Sequence, residues 1–212
     1  MTDHVIDREV ARKVVEVVDQ GLCSGVGKPV PGQMCVEAAV CYAQGLPHGD
    51  SPSCVGEAVR RFKISLNDKG WSSNAARAKG LRRVAVAQLG SDQIDQREFA
   101  KEVALQVTKQ LLPIALRAVA KLNPAHEGSL EASALACEAL TAFDGVRKVA
   151  QAAQSVATAA RGYALAADAA ASAAYADAAT RDGVLSKAAE IGVQALKKLG
   201  SKGVEWLDLC DE

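Results

Sequence analysis

The sequence predicts an all-α protein, a multi-helix bundle of about eight helices. Apolar residues recur at steps of three and four through most of the chain, as on one face of an α-helix. Hydrophobic residues make up 49% of the sequence but aromatic residues only 4%. The interior must therefore be filled by many small side chains, which favours closely spaced helices. No convincing segment shows the two-residue period of a strand.

The length and charge balance limit the class of protein. At 212 residues the chain suits one medium domain or two small ones, and Lys+Arg and Asp+Glu number 25 each. Zero net charge argues against a surface that binds nucleic acid or membrane throughout. No stretch reaches the roughly 18 consecutive apolar residues of a membrane span. We expect a cytoplasmic protein, with no membrane partner, whose six cysteines are free thiols: Cys23, Cys35, Cys41, Cys54, Cys137 and Cys210.

The first two predicted helices are separated by a loop rich in glycine and proline. Valines recur at helical spacing from residue 10, with Asp3 or Asp7 as the N-cap and Gly21 as the stop. The second helix, MCVEAAVCYAQ, is apolar on most sides, so we expect it near the centre of its half. Its narrow polar stripe comprises Gln33, Glu37 and Gln44.

Serine and proline mark the starts of the third and fourth helices. Ser51 and Pro52 are well placed as N-cap and first residue of the third helix. Ser72 or Ser73 can cap the fourth helix. Both helices are therefore expected to begin at these residues.

The fifth helix is predicted to begin at Asp92 and to be interrupted at Pro113, which lacks a backbone donor and crowds the preceding turn. Asn123 and Pro124 end it. The turn near 123–129 is a candidate boundary between an N-terminal helical part, 1–122, and an Ala-rich C-terminal part, 129–212. One continuous domain is the alternative.

The Ala-rich segment from Val156 to Thr180 contains 14 alanines in 25 residues. Small residues recur there at steps of three and four, with polar residues on the other side, which indicates an amphipathic helix. We expect a closely packed pair of Ala-rich helices in this part. Ala160, Ala167 and Ala170 are then buried against another helix of the same chain or of a second copy.

The loop GLCSGVGKPVPG at 21–32 superficially resembles a phosphate-binding loop. That motif needs G-x-x-x-x-G-K-[ST] between a strand and a helix, but here Gly21 is one residue too far from Gly27 and Pro29 replaces the hydroxyl residue. The glycines are better explained as a helix cap and turns with positive φ. We expect no nucleotide and no other cofactor.

Cysteine and histidine residues around the second helix suggest two further sites. A zinc site usually contains two cysteines close together in the sequence. The spacing of Cys35, Cys41, His48 and Cys54 provides no such pair, so we expect the three cysteines in the core. Alternatively, Cys54 near a helix start, with His48 and Glu37, forms a cysteine- or metal-dependent enzyme site.

Basic residues cluster on the third and fourth helices, within 57–66 and 74–89. Such a surface suits an acidic protein partner or, alternatively, the phosphates of nucleic acid. Solvated side chains with intrahelical ion pairs are the simpler explanation. The candidate partner-binding residues are Arg60, Arg61, Lys63, Trp71, Lys79, Arg82 and Arg83.

Three stretches, TAARGYALAADAAASAAYADAAT, AAEIGVQALKKL and GVEWLDL, resemble alanine-rich helical bacterial immunity proteins of polymorphic toxin systems. The resemblance covers roughly residues 130–210. The segments GKPVPGQMCVEAAVCYA and WSSNAARAKGLRRVAVAQLG resemble uncharacterised bacterial and phage proteins. The resemblance implies a non-catalytic protein that acts by binding another protein.

Three hypotheses follow. The leading one is a non-enzymatic helical module that inhibits or scaffolds a protein partner, in toxin immunity or phage–host conflict, with a second copy of the chain also open as a partner. The second is a nucleic-acid-associated protein, and the third is the cysteine- or metal-dependent enzyme. The C-terminal GVEWLDLCDE either docks Trp206 on the bundle or offers a short peptide to a partner.

Overall fold

The computed structural model describes residues 6–149, 151 and 178–211, and their fold is all-α, as predicted. Short 3-10 turns occur at Ser91–Gln93, Pro124–His126 and Phe143–Gly145. Residues 146–149 are also helical. The 3-10 segment Lys202–Cys210 is called the C-terminal tail below. The helices are α1 (Arg8–Asp19), α2 (Val36–Ala43), α3 (Glu57–Asn67), α4 (Asn74–Ala87), α5 (Gln96–Gln110), α6 (Leu112–Leu122), α7 (Glu127–Glu138) and α8 (Ala178–Leu199).

The chain forms two compact units. The first comprises the described residues of Met1–Ala100 and Asp182–Glu212, and the second those of Lys101–Arg181. These limits differ from the predicted parts 1–122 and 129–212, because the turn at 123–129 joins two helices, α6 and α7, that share one core. The predicted pair of Ala-rich helices, with Ala160, Ala167 and Ala170, lies outside the described residues.

The core of the first unit is centred on α2. All residues of α2 except Tyr42 are buried, and α1, α3 and α4 pack around it. Val14 and Val18 of α1 and Leu81 and Ala85 of α4 are fully buried as well. The central position expected for the second helix is therefore confirmed.

Two predicted caps are present. Asp7 accepts a hydrogen bond from Val10 N at 2.9 Å, and Ser73 accepts one from Ala76 N at 3.0 Å. Each side chain satisfies a backbone donor that the first turn of its helix leaves free. The starts of α1 and α4 are thus determined by residues next to the helix.

The predicted start of the third helix is wrong. The helix begins at Glu57, after an N-cap glycine that makes no side-chain cap, rather than at Pro52. Its free backbone donors are satisfied from a distance: Gly56 N bonds to Ser91 Oγ and Ala58 N bonds to Gln96 Oε1, each at 3.1 Å. Residues 52–55 form a turn instead.

The start predicted for the long fifth helix is also corrected. Asp92 lies in the 3-10 turn, and the carboxylate of Asp95 accepts from Arg97 N at 2.8 Å and Glu98 N at 3.1 Å. The helix therefore begins at Gln96. The interruption predicted at Pro113 is confirmed, since one helix ends at Gln110 and the next begins at Leu112.

The C-terminal tail packs against α4 and α1. Ser201 Oγ donates to the Ala87 carbonyl oxygen at 2.7 Å, and Gly203 N donates to the Leu89 carbonyl oxygen at the same distance. Trp206 is only 8% exposed. Of the two predicted roles of the tail, docking on the bundle is confirmed.

The second unit contains a helical hairpin. Leu116 and Ala120 of α6 pack on Leu130 and Ala134 of α7, and Arg117 bonds to two glutamates of α7.

Within the described residues, Gln96–Lys121 is long and apolar enough to cross a membrane, and 22% of its most apolar window is buried. Helices of soluble cores meet the same criteria, so length and composition alone do not assign a membrane.

Candidate functional site

The glycine-rich loop at 21–32 is held to the end of α3 by Asp68. The Asp68 carboxylate accepts hydrogen bonds from Gly25 N at 2.8 Å and Ser24 Oγ at 3.3 Å. Gly27 has a φ of +73°, and a Cβ there would stand 2.1 Å from the Gln33 carbonyl oxygen. This loop needs glycine for its backbone geometry, which supports the structural explanation over phosphate binding.

The thiol and imidazole groups suggested as an enzyme site have separate partners. His48 Nε2 lies 3.2 Å from the Gly27 carbonyl oxygen, whereas Cys54 Sγ donates to Gln44 Oε1 at 3.4 Å. Burial raises the pKa of Cys54 to about 11, the opposite of what a thiolate nucleophile needs. Across the described residues, no three His, Cys, Asp or Glu side chains form a group that could hold a metal ion.

The remaining thiols share this character. Burial raises the pKa of each of them, to about 11 for Cys41 and Cys210. Cys35, Cys41 and Cys54 are buried, as predicted for core residues. Cys35 also caps α2, because its Sγ accepts from Ala38 N at 3.3 Å. These cysteines contribute packing and capping.

Lys63 does not belong to a basic surface, and its prediction as a partner-binding residue is wrong. Its side chain is fully buried, and Nζ lies 3.1 Å from Oε1 of Glu37, which is also fully buried. Lys63 occupies the apolar helical register of Val59 and Leu66, which turns it into the core. The ammonium group is therefore unavailable to a partner.

The pair Glu37–Lys63 is the most polar part of the core. Apart from the ion pair itself, neither the Glu37 carboxylate nor Lys63 Nζ has a hydrogen-bond partner among the described residues. Burial raises the pKa of Glu37 and lowers that of Lys63, while the attraction between the two groups opposes both shifts. Each charge therefore depends on the other for its stabilisation.

Trp71 is the second predicted partner-binding residue that the structure corrects. It is 6% exposed, and its Nε1 donates to the Leu66 carbonyl oxygen at 2.9 Å. The ring lies against Gly80 of α4, where an added Cβ would stand 2.3 Å from Cη2. Trp71 is buried because an indole with a hydrogen-bonded N–H packs well in a core.

Arg60 and Arg61 both pair with Glu57 of their own helix, and Arg60 also lies 3.6 Å from Asp50 Oδ1. Arg60 Nη2 lies 3.1 Å from Glu57 Oε2, and Arg61 Nε lies 2.6 Å from Glu57 Oε1. Hydrogen bonds from both guanidinium groups lower the pKa of the exposed Glu57 carboxyl. These intrahelical pairs match the simpler explanation given for the basic residues.

Arg82 and Arg83 make longer-range ion pairs. Arg82 Nε lies 2.8 Å from Asp19 Oδ1 of α1, and its Nη1 bonds to the Cys210 carbonyl oxygen. Arg83 Nε lies 3.2 Å from Glu190 Oε2 of α8. These carboxylates offset charge that would otherwise attract the phosphates of nucleic acid. Lys79 is exposed and has no ion-pair partner in the described part of the chain.

An open groove of about 710 Å³ lies between α4 and α8. The two helices run in the same direction, because Ser72 N donates to Asp182 at 3.0 Å and Arg83 bonds further along to Glu190. Apolar residues form the floor and charged residues the rims. The floor comprises Ala76, Gly80, Val84, Ala189 and Val193.

The acidic and basic side chains that line this groove differ in their hydrogen bonds. The acidic groups are engaged: Asp182 accepts from Ser72, and Glu190 accepts from Arg83 and from Gln194 Nε2 at 2.6 Å. Lys79 on α4 and Lys187 on α8 also line the groove, and both are exposed. Within the described ranges neither ammonium group has a carboxylate partner, and the three basic and two acidic side chains that line the groove give it a net charge of +1.

The sequence indicated part of this groove. Lys79 and Arg83 were among the candidate residues, whereas Asp182, Lys187 and Glu190 were not. The α8 wall was missed because it lies about 100 residues further along the chain. The buried pair had a local signal: Glu37 lies within the apolar run VEAAVCYA, and Lys63 lies at core spacing.

No family model, curated protein or solved structure matches the chain. The resemblance to alanine-rich immunity proteins therefore stays a prediction from the sequence. The groove, the buried ion pair and the raised pKa values of the thiols are the observations on which a functional proposal can rest.

Proposed function

We propose that the chain is a non-enzymatic helical module that binds a protein partner through the groove between α4 and α8. The groove carries this proposal, because it combines an apolar floor with charged rims on two helices. Such a surface suits an inserted helix, which recognises its target through side chains in a groove. A module of this kind acts by occupying or positioning its partner.

The chemistry of the described side chains supports a non-catalytic role. Raised thiol pKa values disfavour a cysteine nucleophile, and the ion pairs of Arg82 and Arg83 weaken the case for phosphate binding. Toxin immunity and phage–host conflict are settings in which a protein inhibits another by binding alone. The sequence resemblance favours these settings.

Gly183 offers a direct test of groove binding. It lies on the exposed rim of α8, and an added Cβ would have nothing within 4 Å, so Gly183→Trp places a large ring at the groove. Gly128→Trp is the matched control, because Gly128 is also an exposed helical glycine with open space but lies in α7 of the second unit. Tagged versions of the native and both variant chains are incubated with extract of cells that naturally make the protein.

The native chain and Gly128→Trp should capture one protein in stoichiometric amount, and Gly183→Trp should lose it. Equal capture by all three chains would show that the groove is not the binding surface. Failure of the native chain to retain any stoichiometric protein over a range of salt concentrations would contradict the binding function itself. Light scattering of the native chain shows whether the captured protein is a second copy.

A further inference from the structure

We propose that the partner segment in the α4–α8 groove is an acidic amphipathic helix of about three turns; this rests on the proposed function. The length follows from the walls of the groove. At 1.5 Å per residue, Ala76 to Val84 spans about 12 Å and Asp182 to Val193 about 16 Å. About 8 to 11 residues of a bound helix rise over this distance.

The charge of the partner follows from the rims. Five ionisable side chains line the groove, three basic and two acidic. Glu190 pairs with Arg83, whereas Asp182 accepts hydrogen bonds from the uncharged Ser72 and keeps its negative charge. Lys79 and Lys187 stand on opposite walls, exposed and without a carboxylate partner in the described part of the chain. Glutamate or aspartate on both flanks of an inserted helix would complement them. A basic helix would meet a groove whose lining side chains carry a net positive charge.

The floor determines the face of the partner that enters. Ala76, Gly80 and Ala189 are small, and Val84 and Val193 are the largest apolar side chains that line the groove. Val84, Ala189 and Val193 are almost fully buried, whereas Ala76 and Gly80 are partly exposed. Apolar side chains at steps of three and four along one face of a helix can pack on these two exposed positions. An extended peptide would need a strand edge for its backbone hydrogen bonds, and the described residues contain no strand.

A pair of synthetic peptides tests the inference. Each is an acetylated and amidated helix-forming peptide of about twelve residues, one made of Ala, Leu and Glu and the other with every Glu replaced by Lys. Binding is measured by NMR titration of the Val84 and Val193 methyl groups. The acidic peptide should bind about tenfold more tightly than the basic one, because attraction replaces repulsion at both rims.

The variant Lys79→Glu/Lys187→Glu should reverse this preference. Lys13→Glu/Lys197→Glu is its control: it changes the net charge equally at exposed lysines that do not line the groove, and it should keep the preference. Equal binding of the two peptides, or a preference that survives the rim substitutions, would overturn the acidic partner. Binding to phosphatidylserine vesicles without binding to the acidic peptide would also overturn it.

The two proposals fail differently. If Gly183→Trp abolishes capture of a protein while neither peptide prefers the groove, the proposed function stands and the acidic helix is wrong. If Gly183→Trp captures the same protein as the native chain, groove binding itself is wrong.

Discussion

Glu37 and Lys63 place two opposite, fully buried charges in a core that is mostly apolar. Removing two charged groups from water costs several kcal/mol for each ion, and their mutual attraction must offset that cost. A pair of this kind is a poor source of net stability. It is also intolerant of change, because loss of either partner leaves the other charge buried alone.

Lys63→Met should therefore lower the free energy of unfolding by about 3–5 kcal/mol, because it leaves the Glu37 carboxylate buried without a counterion. The double variant Glu37→Leu/Lys63→Met should restore stability to near the native value, since it removes both desolvation costs. Urea denaturation measures the free energy of unfolding of the single and the double variant. Arg61→Met is the control and should change little, because its pair with Glu57 is exposed. A double variant as unstable as Lys63→Met would show that the charges themselves stabilise the fold.

Asp68 gives a prediction for pH dependence. Partial burial raises its pKa, but hydrogen bonds from Gly25 N, Asn67 and Ser24 outweigh that effect and the net shift is downward. A lowered folded-state pKa contributes stability above the ordinary Asp pKa of about 3.9, and this is lost as the pH falls through the folded value.

The amide resonance of Gly25 should therefore hold its position down to about pH 4 and shift only below it, as its hydrogen bond to the Asp68 carboxylate weakens. An NMR titration of that amide measures the midpoint. Asp68→Asn should abolish the shift. A midpoint above 4 would contradict the assigned role of the carboxylate.

Close contacts between helices and aromatic rings depend on glycine. A Cβ added at Gly80 would lie 2.3 Å from the Trp71 ring. A Cβ added at Gly192 would lie 2.4 Å from the Phe62 ring. Both glycines lie inside helices, where alanine is favoured by about 1 kcal/mol on propensity alone. Packing therefore opposes propensity at these two positions.

Gly80→Ala should destabilise the protein, because overpacking costs about 1–3 kcal/mol and exceeds the propensity gain. Gly183→Ala should instead stabilise it by up to about 1 kcal/mol, since an added Cβ there would have nothing within 4 Å. Thermal melting of the two variants should give shifts of opposite sign. A rise in melting temperature for Gly80→Ala would show that Trp71 moves aside at little cost.

The helices could be predicted from the sequence where their ends are set by neighbouring residues. Asp7 and Ser73 cap from within three residues, and Pro113 interrupts through its own ring. The start of α3 could not be predicted, because Gln96, 38 residues from Ala58, satisfies its donors. Only one wall of the groove could be predicted from the sequence, because the basic residues of α4 form a local cluster. The α8 wall could not be predicted, because it lies more than a hundred residues further along the chain.

On a larger scale, the C-terminal tail is part of the packing of the first unit. Arg8 of α1 bonds to Asp208, and Trp206 and Leu209 of the tail are buried. The tail thus covers apolar surface that α4 and α1 would otherwise expose.

Trp206→Ala should reduce the free energy of unfolding by about 3 kcal/mol, as expected for removing a buried aromatic side chain. Phe143→Ala is the control: Phe143 is 40% exposed, so its loss should change stability only slightly. Denaturant titration of both variants measures the difference. Equal, small losses would show that the tail is a loosely attached peptide.

The discontinuity of the first unit has a consequence for synthesis on the ribosome. Chains emerge from the N-terminus, and early segments often fold before later ones are made. Here 107 residues separate Arg83 from Glu190 and 200 separate Arg8 from Asp208. The α4 wall therefore emerges long before α8 and the tail, with the apolar surface that they cover still open. A nascent chain of this protein is a candidate client for chaperones until α8 and the tail have been translated.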